Sequence, residues 1–91
     1  MKIESIFKAL GSTRRIRILK ILLKSDKLSV GEISQKIDLS LKSTSKHLLL
    51  LEKLDLVKRE QKSRWGFYSY STKASVDRIK KILELAELLV R

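Results

Sequence analysis

Leu39 to Val57 reads LSLKSTSKHLLLLEKLDLV, and the rest of the chain takes its meaning from this stretch. Ser40 can cap a helix by accepting a hydrogen bond from a free backbone N–H. Thr44, Leu48 and Leu51 then recur at the four-then-three spacing of one buried face. The spacing predicts a helix over about 40–54. Its opposite face carries Lys42, Lys46 and Lys53 with Leu49 among them, and Ser43, Ser45 and His47 crowd the same first turns. A DNA major groove admits such a helix, lysines neutralise phosphates, and short polar side chains reach base edges. A solvated surface helix would show the same charges, so the flanking segments decide between the two readings.

On the N-terminal side, Ser29 begins a short helix with Glu32 at the capping-box position and Ile33 and Ile37 on its buried side. Asp38, Leu39 and Ser40 turn the chain into the next helix. A short helix, a tight turn and a second, polar-faced helix make a helix-turn-helix. Further upstream, Ser12 or Thr13 can cap a helix whose Ile16, Leu19, Leu22 and Leu23 face inward. Its Arg14, Arg15, Arg17, Lys20 and Lys24 fall largely outside, with Arg14 and Arg15 close enough to the helix start to reach a phosphate. Gly11 ends a first helix, at about 3–10, on which Ile3, Ile6, Phe7 and Leu10 form an apolar stripe.

On the C-terminal side, Leu56 to Glu60 and Trp65 to Tyr70 suit two strands joined by the polar segment Gln61 to Arg64. Alternation turns Val57, Gly66, Tyr68 and Tyr70 toward the core, and Lys58, Trp65, Phe67 and Ser69 away from it. Arg59, Lys62, Ser63 and Arg64 give the hairpin, at about 58–65, a basic tip that suits a phosphate backbone or a minor groove. From Ser71 or Thr72 the chain is helical again to about 90. Val76, Ile79, Ile82, Leu83, Ala86, Leu89 and Val90 lie on one stripe that Leu85 and Leu88 widen. That is more apolar face than one small domain covers. Ile3, Ile6 and Phe7, with Ile79, Ile82, Leu83, Ala86 and Leu89, are therefore expected to meet their symmetry mates in a two-fold homodimer.

Whole-chain composition narrows the function classes. The chain has 91 residues, enough for a single domain over 1–91, and 43% of them are hydrophobic. It carries 21 Lys and Arg against 10 Asp and Glu, a formal charge of +11 that favours a polyanionic partner. No apolar run approaches the length of a membrane span and no signal peptide is evident, so a cytoplasmic place without membrane contact is expected. Cysteine is absent and there is one histidine. Disulfides and thiolate metal sites are excluded, and neither a metal nor a cofactor is expected. The lone histidine lies on the polar-faced helix, where Ser43 four residues earlier could touch it, but nothing in the sequence suggests an oxyanion hole or a pocket, which argues against an enzyme.

ALGSTRRIRIL at Ala9 to Leu19, LSLKSTSKHLLLLEKLDLV at Leu39 to Val57 and SRWGFYSYS at Ser63 to Ser71 together resemble the ArsR type of winged-helix regulator. The middle match, with Ser45, Lys46, His47 and Leu48 in the family's serine, basic, histidine, leucine order, is the most specific. The resemblance runs from about Ala9 to Tyr70. It implies a mainly α fold with a small β-hairpin wing, in the order α-α-α-α-β-β-α, dimerising through helices from both termini. It implies a repressor that binds inverted repeats in double-stranded DNA. Lys42, Ser43, Ser45, Lys46 and His47 would enter or border the major groove, and Lys62 to Arg64 would form the wing tip. Many members sense metal through cysteines at the start of the third helix, where this chain has Leu28-Ser29-Val30-Gly31-Glu32. Others use histidine with carboxylates on the last helix, where this chain has Asp77, Glu84 and Glu87 without histidine. Release by metal is thus not expected, and the effector stays open. A winged helix serving as a protein-interaction or architectural module, with Leu49, Trp65 and Phe67 as anchors, is the competing expectation.

Overall fold

The computed structural model describes residues 4, 7–8, 11–25, 27–62 and 64–90, apart from the side chains of Trp65, Leu89 and Val90. Glu4, Phe7 and Lys8 are helical, and Gly11 is in a turn. Ile3, Ile6, Leu10 and Ser63, named above, lie outside the described residues, as do the side chains of Trp65 and Leu89.

Four helices and three strands follow: α1 (Thr13–Leu23), β1 (Leu28–Ser29), α2 (Val30–Ile37), α3 (Leu41–Lys53), β2 (Val57–Lys62), β3 (Trp65–Tyr70) and α4 (Lys73–Val90). Each helix start has a local cause. Ser12 caps α1 by accepting from the N–H of Arg15, and Ser40 caps α3 by accepting from the N–H of Ser43. Ser29 and Glu32 form a reciprocal capping box at α2, at 3.1 and 3.0 Å. Thr72 caps α4 by accepting from the N–H of Ser75 at 3.2 Å, and the fully buried Ser75 donates its hydroxyl to the Asp55 carbonyl at 3.1 Å. The last contact ties the start of α4 to the turn that follows α3.

Both turns flanking α3 are made by aspartates in the left-handed region, Asp38 at φ 54° and Asp55 at φ 60°. A short side chain that can hydrogen-bond locally tolerates this conformation better than most. At Asp38 the chain closes α2 with bonds from Asp38 N–H to Gln35 and from Leu39 N–H to Ser34, at 3.3 and 3.0 Å.

The core takes residues from every element: Ile18, Leu19 and Leu22 on α1, Ile33 and Ile37 on α2, and Leu48 and Leu51 on α3. Leu28, Leu56, Val57 and Tyr68 join from the sheet side, and Ile79 and Ile82 from α4. Each fully buried aliphatic side chain stabilises the fold by about 1.5–3 kcal/mol.

Several expectations need correction. The hairpin is part of a three-stranded antiparallel sheet ordered β1-β3-β2, because Leu28 and Ser29 pair with Tyr68 and Phe67. Two residues, the second of them the helix cap itself, carry no alternation that could have announced a strand. The β2–β3 ladder runs from Val57↔Tyr70 to Lys62↔Trp65, so only positions 63 and 64 lie between the strands. Tyr70, expected inside, is exposed, while Ser69, expected outside, is buried. Ser69 and Tyr70 lie at the end of the β2–β3 ladder, where alternation alone does not fix burial. On α1, Ile18 rather than Ile16 is fully buried, and Ile16 and Leu23 are half-buried.

The expected dimer stripe divides. Ile79 and Ile82 are fully buried within this one chain and Ala86 nearly so, which makes them core residues, and the half-buried Leu83 packs against that core. Left on the surface are Phe7, 62% exposed, Leu85 and Leu88, the last 66% exposed. No helix among the described residues is long and apolar enough to cross a membrane.

Candidate nucleic-acid interface

The burial of Thr44, Leu48 and Leu51 fixes how α3 is rolled against the body, and roll decides which side chains it offers. Lys42 and Lys46 are exposed, as are Leu41 and Leu49, and Ser43, Ser45 and His47 are half-buried at the edges of the same face. Lys42, Lys46 and Arg64 have no carboxylate partner within ion-pair distance among the described residues. Unpaired cations beside short hydroxyl side chains, on a helix packed along only one side, can meet phosphates and base edges together.

His47 sits where α3 approaches the start of α1. Burial, and then the positive charges of Arg15 and Arg14, hold its imidazole below the usual value of 6.5. At neutral pH it is therefore an uncharged donor and acceptor rather than a cation. Arg15, a candidate for phosphate contact from sequence, has a different task. Its Nη2 donates to the Lys8 carbonyl, joining α1 to the segment before Gly11, and its Nε is buried without a partner among the described residues. Arg14 is exposed.

The wing supplies Arg59, Lys62 and Arg64, all exposed. Outside it, Lys27 donates to Glu60 across β3, which holds the Glu60 carboxyl below its ordinary range and raises the Lys27 ammonium. Glu60 is therefore neutralised locally. Between the wing and α3 lies a cleft of about 380 Å³ lined by Ser29, Gly31, Leu41, Ser45, Arg59 and Arg64, among others. The sequence marks Ser45, Arg59 and Arg64 as candidate DNA contacts but gives no such sign for Ser29, Gly31 or Leu41. Only tertiary packing brings the α2 cap against the wing, and no local signal marks it. Among the described residues no group of three or more His, Cys, Asp or Glu converges as a metal site would.

The chain is similar to known regulatory proteins in sequence and fold. The family described as "Bacterial regulatory protein, arsR family" matches residues 12–59, the span from the α1 cap through the helix-turn-helix into the wing. The chain is 34% identical over 84 residues to the transcriptional activator HlyU of Vibrio cholerae, covering 92% of this chain and 73% of HlyU. The reduced HlyU structure superimposes with a TM-score of 0.75, covering 90% of this chain and 85% of that one. The transcriptional repressor SdpR of Bacillus subtilis is 30% identical over 80 residues, 88% of each chain. The homodimeric winged helix-turn-helix domain of Mb0332 from Mycobacterium bovis shares the fold, with a TM-score of 0.81 at 20% identity, over 97% of this chain and 81% of that one.

Proposed function

This chain belongs to the arsR family of bacterial regulatory proteins, and from that premise we propose that it is a sequence-specific, homodimeric regulator that represses transcription by occupying a promoter. The observation that carries the reading is the exposed face of α3, where Lys42 and Lys46 stand unpaired beside Ser43, Ser45 and His47, next to a basic wing. Lysines supply salt-dependent affinity, and the serines with His47 supply part of the discrimination between bases. Exposed Leu41 and Leu49 suit thymine methyl groups.

In this reading two copies place their recognition helices in successive major grooves about 34 Å apart, on an inverted repeat. The homodimeric state of Mb0332 and the exposed Phe7, Leu85 and Leu88 support a two-fold pair. SdpR is named a repressor and HlyU an activator, so the fold serves both signs. Repression is proposed here because occupancy of a promoter needs nothing beyond the DNA-binding and pairing faces. The protein would act in the cytoplasm, where its DNA is.

Fluorescence anisotropy on DNA from upstream of its own gene and on a scrambled duplex, across a range of salt, tests the reading. Tight binding to the first and weaker, more salt-sensitive binding to the second is the expected result. Equal, salt-fragile binding to both would replace it with an architectural role. Lys46→Ala is expected to weaken binding to both duplexes alike, because a phosphate contact carries no sequence information.

A further inference from the structure

α1 and α4 pack against each other but leave a cavity of about 260 Å³ between them. Ile16 and Leu83 line it half-buried and Ala86 buried, whereas Lys20 and Glu87 line it while exposed. It therefore has an apolar base and a charged mouth. Arg17 and Lys20 also line a second hollow of about 320 Å³, together with Ile21 and Lys36 and with no carboxylate among the described residues. Where the two hollows adjoin, cations outnumber carboxylates. Lys20 and Glu87 make no ion pair among the described residues, so the mouth is not closed by its own charges.

This is not the face expected to pair. At about 100° of turn per residue, Leu85 and Leu88 stand about 200° and about 140° round α4 from Leu83. Pairing through them leaves the cavity between α1 and α4 open. Its size suits a small molecule, and its two kinds of wall suit different parts of one. Ile16, Leu83 and Ala86 retain an apolar body by burying it, and Lys20 with Arg17 fixes a negatively charged end by charge-assisted hydrogen bonds. An inorganic anion would leave the apolar base unused, and a neutral molecule would leave the cations unused.

The cavity also has a route to the DNA-reading helix. Arg17 holds the carbonyls of Lys36 and Ile37, which end α2 directly before the turn at Asp38 that leads into α3. An anion at the mouth competes for that guanidinium and loosens the end of α2. We propose that the cavity between α1 and α4 binds a small organic anion with an apolar body, and that its occupancy weakens the hold on DNA through Arg17. The second half of the proposal rests on the DNA-binding reading above; the first does not.

The test is a nitrogen-15 NMR titration of the full chain with phenylacetate and with hexanoate, each beside its neutral amide, to about 10 mM, which populates even a millimolar site. The backbone signals of Ile16, Lys20, Leu83 and Ala86 are expected to shift and saturate with either acid, and the amides to bind about tenfold more weakly. Lys20→Gln, at an exposed position where folding is not at risk, should lose the preference for acid over amide, and Lys20→Arg should keep it. No shift with either acid, equal binding of acid and amide, or a preference that survives in Lys20→Gln would overturn the site. So would shifts at these residues that follow protein concentration and not acid, because a second copy would then cover the cavity. In the anisotropy titration on the upstream duplex at fixed ionic strength, saturating acid should weaken binding by the wild type and much less by Lys20→Gln. Acid bound with DNA affinity unchanged overturns the coupling through Arg17. Failure of the acid-free protein to bind DNA overturns the DNA reading, while the NMR titration still decides the site.

Discussion

Nη1 of Arg17, on α1, donates to the carbonyl oxygen of Ile37 at the end of α2, at 3.3 Å. Its Nη2 reaches the neighbouring Lys36 carbonyl at 3.2 Å, so one guanidinium closes the C-terminal end of the helix that precedes the turn. A cation there satisfies orphan carbonyls and opposes the helix dipole. Arg17→Gln is expected to lower stability by about 1 kcal/mol, since both bonds lie near the surface. Arg17→Lys should recover only part of this, because an ammonium lacks the planar fork that spans two carbonyls. Urea denaturation of the three proteins checks the order.

Asp38 sets the angle between α2 and α3 from the left-handed region. Asp38→Val is expected to cost about 1–2 kcal/mol, because a β-branched side chain clashes in that conformation. Asp38→Gly should be neutral or slightly stabilising. The denaturation midpoint should fall below the wild type for Asp38→Val and lie level with or above it for Asp38→Gly.

Thr44 is fully buried on α3, and its hydroxyl has no hydrogen-bond partner among the described residues. Replacing it with valine removes an unsatisfied polar atom at nearly constant shape. Thr44→Val should therefore stabilise the fold by up to about 1 kcal/mol. DNA affinity should not change, since the side chain faces the core. A denaturation curve beside an anisotropy titration separates the two effects.

His47 links stability to pH. Its folded-state value is depressed by burial first, then by Arg15 and Arg14, below the ordinary 6.5. As pH falls through 6.5 the unfolded chain takes up the proton before the folded one does. Stability is then full above 6.5, declines as pH falls from there to the lower folded value, and levels off below it. His47→Gln should remove this part of the acid sensitivity, which denaturation midpoints measured from neutral pH downward would reveal.

Leu85 and Leu88 face solvent on α4 while Ile79 and Ile82 are sealed in the core. In the proposed dimer, Leu85→Lys with Leu88→Lys should give a folded monomer by sedimentation, with its circular dichroism unchanged and its affinity for an inverted repeat sharply reduced. Ile79→Lys should unfold the chain at any concentration, since a lone buried charge has no partner. A double lysine variant that stays dimeric would place the pairing surface elsewhere.

The helix-turn-helix was legible because its signals are local. Ser29 with Glu32 and Ser40 with the N–H of Ser43 are contacts three residues apart, and Thr44, Leu48 and Leu51 declare their face through the helix repeat. The same holds for the run of β2 and β3 and for the exposure of Lys42 and Lys46. The family could be named from these residues alone. What the sequence could not decide were relations between segments far apart in the chain: the pairing of Leu28 with Tyr68, the reach of Arg17 to Ile37, and the cavity that α1 and α4 enclose beside Lys20 and Glu87. It also could not divide the α4 stripe between core and surface. A hydrophobic period says that a face will be covered but not by what, so Ile79 and Ile82 went to this chain's own core while Leu85 and Leu88 stayed outside. Local hydrogen bonding and periodicity are written in neighbouring residues, whereas partners across the fold exist only once the chain has closed its core and brought them together.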